Sequence, residues 1–203
     1  MALLLPATFV VCFLAGRRLL ARAVYPRWAT FLLLGLVAVP SLLGLIWPDL
    51  LETRQRDPAR ITQQHEVWRL LSALFVQDGG VVGLAFNLTL LFLLAPLAEA
   101  VWGSPATVLL FVLGGILVNV GQVALGTVGA GNSLANLVLG SSVSVVALWR
   151  ADRRDRVATA LALGVLLLAV ALYLTGDYHW LAVLVGTVVR LVLLGLGREQ
   201  GHH

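Results

Sequence analysis

The chain has 203 residues, 60% of them hydrophobic and 12% charged, a formal net charge of +4 and a mean hydropathy of +0.94. Soluble domains carry about a quarter charged residues, so composition excludes a soluble globular protein. Apolar runs of about 20 residues match a hydrocarbon layer roughly 30 Å thick, and their continuous Leu/Val/Ala character excludes the alternating strands of a β-barrel. The expected class is an all-α polytopic membrane protein.

In chain order, the first apolar stretch is Ala2–Gly16, followed by Arg17 and Arg18. At about 15 residues it reads three ways: a short extra span, an interfacial segment, or a signal-like start with no convincing cleavage site. Six further runs predict spans over 29–47, 81–98, 105–125, 133–149, 157–175 and 178–196. This organisation expects an N-terminal hydrophobic and basic segment (1–28), a transmembrane domain (29–198) with a loop over 48–80, and a tail (199–203). Cys12 alone excludes an intrachain disulfide and a multi-Cys metal site. The tail's His202–His203 is too short to define a metal site.

The fourteen basic residues are all arginine and are divided among short loops, a pattern that sets membrane topology and does not form a nucleic-acid-binding face. Arg17, Arg18, Arg22 and Arg27 precede the first of the six spans. Arg150, Arg153, Arg154 and Arg156 separate the fourth and fifth, and Arg198 follows the last. With all three groups cytoplasmic, six spans alternate without conflict and 48–80 lies outside. Within that loop, "HEVWRLLSALFV" (65–76) is apolar but too short to span. It predicts a helix lying in the interface or dipping partway into the bilayer, with Trp68 at headgroup depth.

Polar groups inside a bilayer are costly and mark sites where they occur. Asn87 lies about 9 Å inside the outer end of its span, at 1.5 Å per residue. Ser133 opens the 133–149 span and His179 opens the 178–196 span, so the arginine-derived topology brings all three to the outer face. Taken singly, each has a structural reading: Ser133 as a helix N-cap, His179 as a packing residue, Asn87 as an interhelical bond. Taken together they suggest acyl-transfer chemistry. A base must take the serine proton, and donors must meet the oxyanion. Asn87 and the Ser133 backbone N–H are the candidate donors. Asp177, two residues from His179 in a loop, is not assigned an orienting role, which leaves a dyad. Ser133, Gly140, Ser141 and Ser144 share one helical face; His179, Ala182 and Gly186 share another. Such small-residue seams would let the two helices approach closely.

The motifs around these residues resemble those of the rhomboid intramembrane serine proteases, from about residue 64 to 190. "EVWRLLSALF" (66–75) is similar to the family's W-R signature, and "GLAFNLTLLFLLAPLAEAVWG" (83–103) to its H-x-x-F-N span with a Glu-bearing turn. "GNS" (131–133) resembles G-x-S-G, and "HWLAVLVG" (179–186) resembles H-x-x-G-x-x-x-G. The resemblance implies a six-helix bundle with Ser133 as nucleophile, His179 as base and Asn87 as oxyanion donor. It also implies that Gly131 gives the backbone room, that Trp68 and Arg69 hold the outer loop in the bilayer, that Glu99 is structural, and that Ala182 and Gly186 carry the last motif. No metal or organic cofactor is expected. The implied partners are single-span membrane substrates and the lipid bilayer, not nucleic acid, and the expected setting is a bacterial plasma membrane.

Three positions depart from the family pattern: Gly83 stands where it has His, Leu134 where Gly follows the nucleophile, and Ala182 where the last motif begins with Gly. Gly83 and Leu134 favour a second reading, a catalytically inactive relative that binds transmembrane helices. A transporter or channel would need a polar track through the bundle, whereas the inner halves of most spans are Leu, Val and Ala. Ser142 also stands in a G-x-S, but it lies near the inner half of its helix, away from His179.

Overall fold

In hydrocarbon every backbone N–H and C=O has to be satisfied within the protein, so continuous apolar runs fold as helices. The computed structural model describes residues 3–20, 23–150 and 155–199. Among these, α1 spans Leu4–Leu19 and α2 Trp28–Ile46. Three short helices follow, α3 (Pro48–Arg54), α4 (Pro58–Gln63) and α5 (Arg69–Ser72). The rest are α6 (Gly80–Trp102), α7 (Ser104–Ala124), α8 (Ser133–Arg150), α9 (Arg156–Leu174) and α10 (Trp180–Glu199). The described residues contain no strand, only an isolated antiparallel bridge between Arg56 and Gly129. The expected all-α bundle is present, and α2 and α6–α10 coincide with the six apolar runs. Arg22, Arg153, Arg154 and the tail from residue 200 lie outside the described residues.

Helix α8 is the axis of the bundle, packed against α1, α6, α7, α9 and α10. Ala135, Leu137, Val138, Leu139 and Val146 on it are wholly buried, and so are its polar residues Asn136, Ser141 and Ser142. The peripheral helices instead turn Leu36, Val39, Leu109, Leu113, Leu167 and Val170 outward. Helices α2, α6, α7 and α9 are long and apolar enough to cross a membrane. This is an integral membrane protein.

Within the first apolar stretch the described residues form a helix, α1, that runs on through Arg17 and Arg18. Thr8, Phe9, Cys12, Ala15 and Gly16 of α1 are buried, and α1 lies along α8 and α9. A Cβ on Gly140 would come within 3.0 Å of Cys12 Cβ, so Gly140 faces α1. That corrects the expectation of one continuous small face on α8, because Ser141 and Gly140 serve different neighbours. At the C-terminal end of α1, Arg18 Nε donates to Asp155 Oδ2 (3.1 Å), and Asp155 Oδ1 accepts the Ala158 N–H (3.0 Å) to cap α9.

Segment 65–76 is not a helix lying in the interface; only Arg69–Ser72 is helical, between turns. The cause is Arg69 itself. Its guanidinium is buried and donates to the carbonyls of Glu52 (2.9 Å) and Gln55 (3.0 Å) at the end of α3, and to the Glu66 carboxylate. The chain therefore wraps around the arginine instead of lying flat. Trp68 is 44% exposed, with the guanidinium carbons of Arg54 and Arg69 at 5.2 and 4.9 Å from its ring centroid.

Glu99, near the C-terminal end of α6, caps a different helix. Arg27, at the N-cap of α2, makes no side-chain cap, and the buried N–H groups of the first turn would otherwise be orphaned. Glu99 accepts from the backbone N–H groups of Arg27 (3.1 Å), Ala29 (3.2 Å) and Thr30 (3.2 Å), from the Thr30 hydroxyl, and from Ser104 Oγ (2.7 Å). Glu99→Ala strands several buried donors at once. It should destabilise the fold by about 3 kcal/mol, measured by reversible unfolding in mixed micelles.

Candidate active site

The loop before α8 ends in Gly-Asn-Ser. Gly131 has φ +130°, a backbone conformation that side chains disfavour, and a Cβ there would stand 3.0 Å from Gln77 Oε1. Gly131 N–H donates to the Ala73 carbonyl (2.8 Å), which ties this loop to the outer segment. The next turn of chain is α8, opened by Ser133.

Ser133 Oγ lies 3.1 Å from His179 Nε2. His179 immediately precedes α10. Its Nδ1 lies 2.6 Å from Asp177 Oδ1, and the same oxygen accepts its backbone N–H (3.0 Å). A carboxylate only accepts, so Nδ1 carries the proton and Nε2 turns its lone pair to the serine hydroxyl. The hydrogen bond from the imidazole, supported by that from the backbone N–H, holds the Asp177 carboxyl below the usual carboxylate range despite opposition from partial burial. The sequence reading passed over Asp177 as a loop residue. In the structure, the turn through Gly176 folds Asp177 back, with its N–H donating to the Leu172 carbonyl (2.9 Å).

What brings the two helices together is the near absence of side chain at Gly186. A Cβ there would stand 2.5 Å from the Val138 carbonyl oxygen and 2.1 Å from Ser141 Oγ. Ala182, one turn higher on α10, is completely buried. Gln122 Nε2 of α7 donates to the Tyr178 carbonyl (2.9 Å), fixing the α9–α10 turn from the other side.

Above Ser133 is a cavity of about 260 Å³, lined by Ser133, Leu134, His179, Asp177, Arg56 and Asp78 among others. The 48–80 segment forms its wall: Arg56 and Gly129 exchange backbone hydrogen bonds (2.9 and 3.1 Å), and Asp78 Oδ2 accepts the Ala130 N–H (2.9 Å). Arg56 is buried, donating to Asn119 Oδ1 (2.5 Å) and the Thr127 carbonyl (3.0 Å). Burial brings its pKa down to about 10, against the pull of Asp78, so it stays charged at neutral pH. Leu134 is 7% exposed and packs with the core, and the Ser133–His179 contact is intact beside it.

Asn87 projects from α6 toward the Gly131 loop. Its Nδ2 lies 3.7 Å from the position of a Gly131 Cβ, and it donates to Gln77 Oε1 (2.7 Å) rather than to Ser133. Gly83, one turn earlier, has open space where a side chain would stand. Ser142 is excluded from this site: it is wholly buried and donates to the Leu139 carbonyl (2.8 Å). Trp68 and Arg69 belong to the 48–80 segment and Glu99 to the C-terminal end of α6, apart from the cavity lining. Sequence reasoning missed Asp177, Arg56, Gln77, Asn132 and Asn136. Asn136 was detectable, as an amide inside an apolar helix one turn after Asn132.

A serine hydroxyl, an imidazole and a carboxylate thus stand in line at the adjoining ends of two helices in a membrane bundle. The sequence matches the Rhomboid domain family over residues 64–199, and the chain belongs to that family. No curated protein matches the chain.

Two outcomes follow from this geometry. Gly186→Val must push α10 off the α8 backbone; it should cost about 1–3 kcal/mol of stability, read by unfolding in micelles. Asp177 has its carboxyl depressed in the folded state, so its contribution to stability is present above the unfolded value of about 3.9 and is lost as pH falls through the lower folded value. Thermal unfolding of Asp177→Asn should therefore fall below that of the parent at pH 6 and converge with it in stronger acid.

Proposed function

We propose that this protein is an intramembrane serine endopeptidase that cleaves single-span membrane proteins near the outer membrane face. The observation that carries the reading is the line from Ser133 Oγ through His179 to Asp177, at 3.1 and 2.6 Å. Ser133 Oγ attacks the scissile carbonyl while His179 Nε2 takes its proton, then delivers that proton to the leaving amine. Water, activated by the same imidazole, hydrolyses the acyl-enzyme and frees Ser133. Asp177 keeps Nδ1 protonated and the ring aligned. The Ser133 backbone N–H, at a helix N-terminus, and the Asn87 amide stabilise the oxyanion. On this reading the arginines before α2, those around the α8–α9 connection and Arg198 at the end of α10 face the cytoplasm, and the cavity faces the outer side.

A second reading, an inactive relative that holds transmembrane helices, draws on Gly83, which supplies no donor, and on the engagement of Asn87 by Gln77. The two separate cleanly in proteoliposomes carrying a single-span substrate. Proteolysis requires that Ser133→Ala and His179→Ala each lower cleavage at least about 10³-fold, and that a fluorophosphonate mark Ser133 in the parent. Cleavage that survives Ser133→Ala sinks the mechanism; no cleavage and no Ser133 adduct in the parent leaves the helix-binding reading.

A further inference from the structure

Four side-chain amides lie between α6 and the start of α8, and their hydrogen bonds form a circuit that leaves residue 87 and returns to it. Asn136 Nδ2 donates to the Asn87 main-chain carbonyl (3.1 Å), and Asn132 Nδ2 donates to Asn136 Oδ1 (3.2 Å). Gln77 Nε2 donates to Asn132 Oδ1 (2.7 Å), and Asn87 Nδ2 donates to Gln77 Oε1 (2.7 Å). Asn132 and Asn136 are wholly buried and Gln77 nearly so.

The circuit has one possible direction. A main-chain carbonyl can only accept, so Asn136 presents its NH₂ to Asn87 and its oxygen to Asn132. Asn132 must then turn its oxygen to Gln77, and Gln77 its oxygen to Asn87. Each amide sets the next, and the last one set is Asn87 itself. An isolated Asn has little to distinguish its two ends, since oxygen and NH₂ are nearly the same size. Here the oxygen end of Asn87 is buried with no hydrogen-bond partner among the described residues. Nothing on that side holds the amide, and the orientation comes from the Gln77 side.

We propose that Gln77 is a positioning residue: through this circuit it holds the Asn87 amide with its NH₂ toward the Gly131–Ser133 loop. One N–H goes to Gln77, which leaves the other for an oxyanion. Both amides face the same glycine, at 3.0 Å for Gln77 Oε1 and 3.7 Å for Asn87 Nδ2 from a Gly131 Cβ. Gln77 thereby offsets the missing donor at Gly83 by making Asn87 a fixed one. The wiring stands on geometry alone; its catalytic consequence rests on the proposed proteolysis.

Three variants of the full chain in proteoliposomes test this. Gln77→Met breaks two links without adding charge, and Asn136→Leu breaks the circuit at its far end. Gln77→Glu is the discriminating one: as a carboxylic acid it can accept from Asn87 and donate to Asn132, but as a carboxylate it cannot donate. Gln77→Met should lower kcat on a single-span substrate, and the rate of fluorophosphonate attack on Ser133, by about 10²-fold, comparable to the loss of an oxyanion donor, with KM within about twofold. The kcat of Gln77→Glu relative to the parent should rise as pH falls, which a packing role for Gln77 would not produce. In spectra of ¹⁵N-asparagine-labelled protein, Asn136→Leu should shift the side-chain amide signals of Asn87. Unchanged Asn87 signals overturn the circuit, whatever the activity. Parent-like kcat in Gln77→Met, or a flat pH ratio for Gln77→Glu, overturns its catalytic consequence. A parent that neither cleaves nor forms a Ser133 adduct ends the proteolytic reading, while the amide signals still decide the wiring.

Discussion

The contact on which the site depends is the approach of α10 to α8 at Gly186. The Val138 carbonyl and the Ser141 hydroxyl occupy the space of a side chain there, and only glycine permits it. From that anchor, Val138 lies about 7.5 Å below Ser133 along α8, and Gly186 about 10 Å below His179 along α10, at 1.5 Å per residue. The two helix ends thus emerge at nearly the same height, and the hydroxyl meets the imidazole without either chain having to reach. A seam in the dry interior, well below the cavity, sets the distance at its floor.

The second constraint is that polar groups in the bundle find partners in protein rather than water. They do so largely by serving backbone ends of other segments. Glu99 of α6 caps α2, Arg69 takes the last carbonyls of α3, and Gln122 of α7 holds the turn before α10. Each of these bonds crosses between elements, so each also fixes a packing relation that hydrophobic contact alone leaves loose. Lipid tails are as apolar as leucine and give helices no preference for one neighbour over another; specificity has to come from close contacts and polar bonds.

Those two constraints explain what could be read in the sequence and what could not. The spans were legible because hydropathy over about 20 residues needs no tertiary information, and topology then brought Ser133 and His179 to one face. Ala2–Gly16 was ambiguous because a 15-residue apolar run has no single fate; the packing of α1 on α8 and α9 is a tertiary relation that hydropathy does not carry. Asp177 was passed over because sequence spacing describes a regular helix, and i−2 is not a helical neighbour. In a turn that precedes a helix, i−2 folds back onto the first N–H, as Asp177 does onto His179. The interfacial helix at 65–76 failed for a related reason: hydropathy weighs Arg69 as a flaw in an apolar stripe, whereas the chain folds around it. Gln77 carried no local signal, since its partners are 10 and 55 residues away.

Ser133 and Ser142 make the point in one helix. Both stand in a G-x-S sequence, and both sit on α8. Ser142 is in mid-helix, where its hydroxyl donates to Leu139 and its backbone N–H belongs to the helical ladder. Ser133 is the first residue of α8, and the first i to i−4 bond at this end is made by Asn136, to the Asn132 carbonyl at 2.8 Å. The N–H groups of Ser133, Leu134 and Ala135 therefore have no acceptor within the helix. A serine at this position offers a hydroxyl aimed at a base together with an uncommitted N–H beside it. Moving the same tripeptide nine residues along the helix would consume both, so the chemistry belongs to the helix end and the motif only marks it.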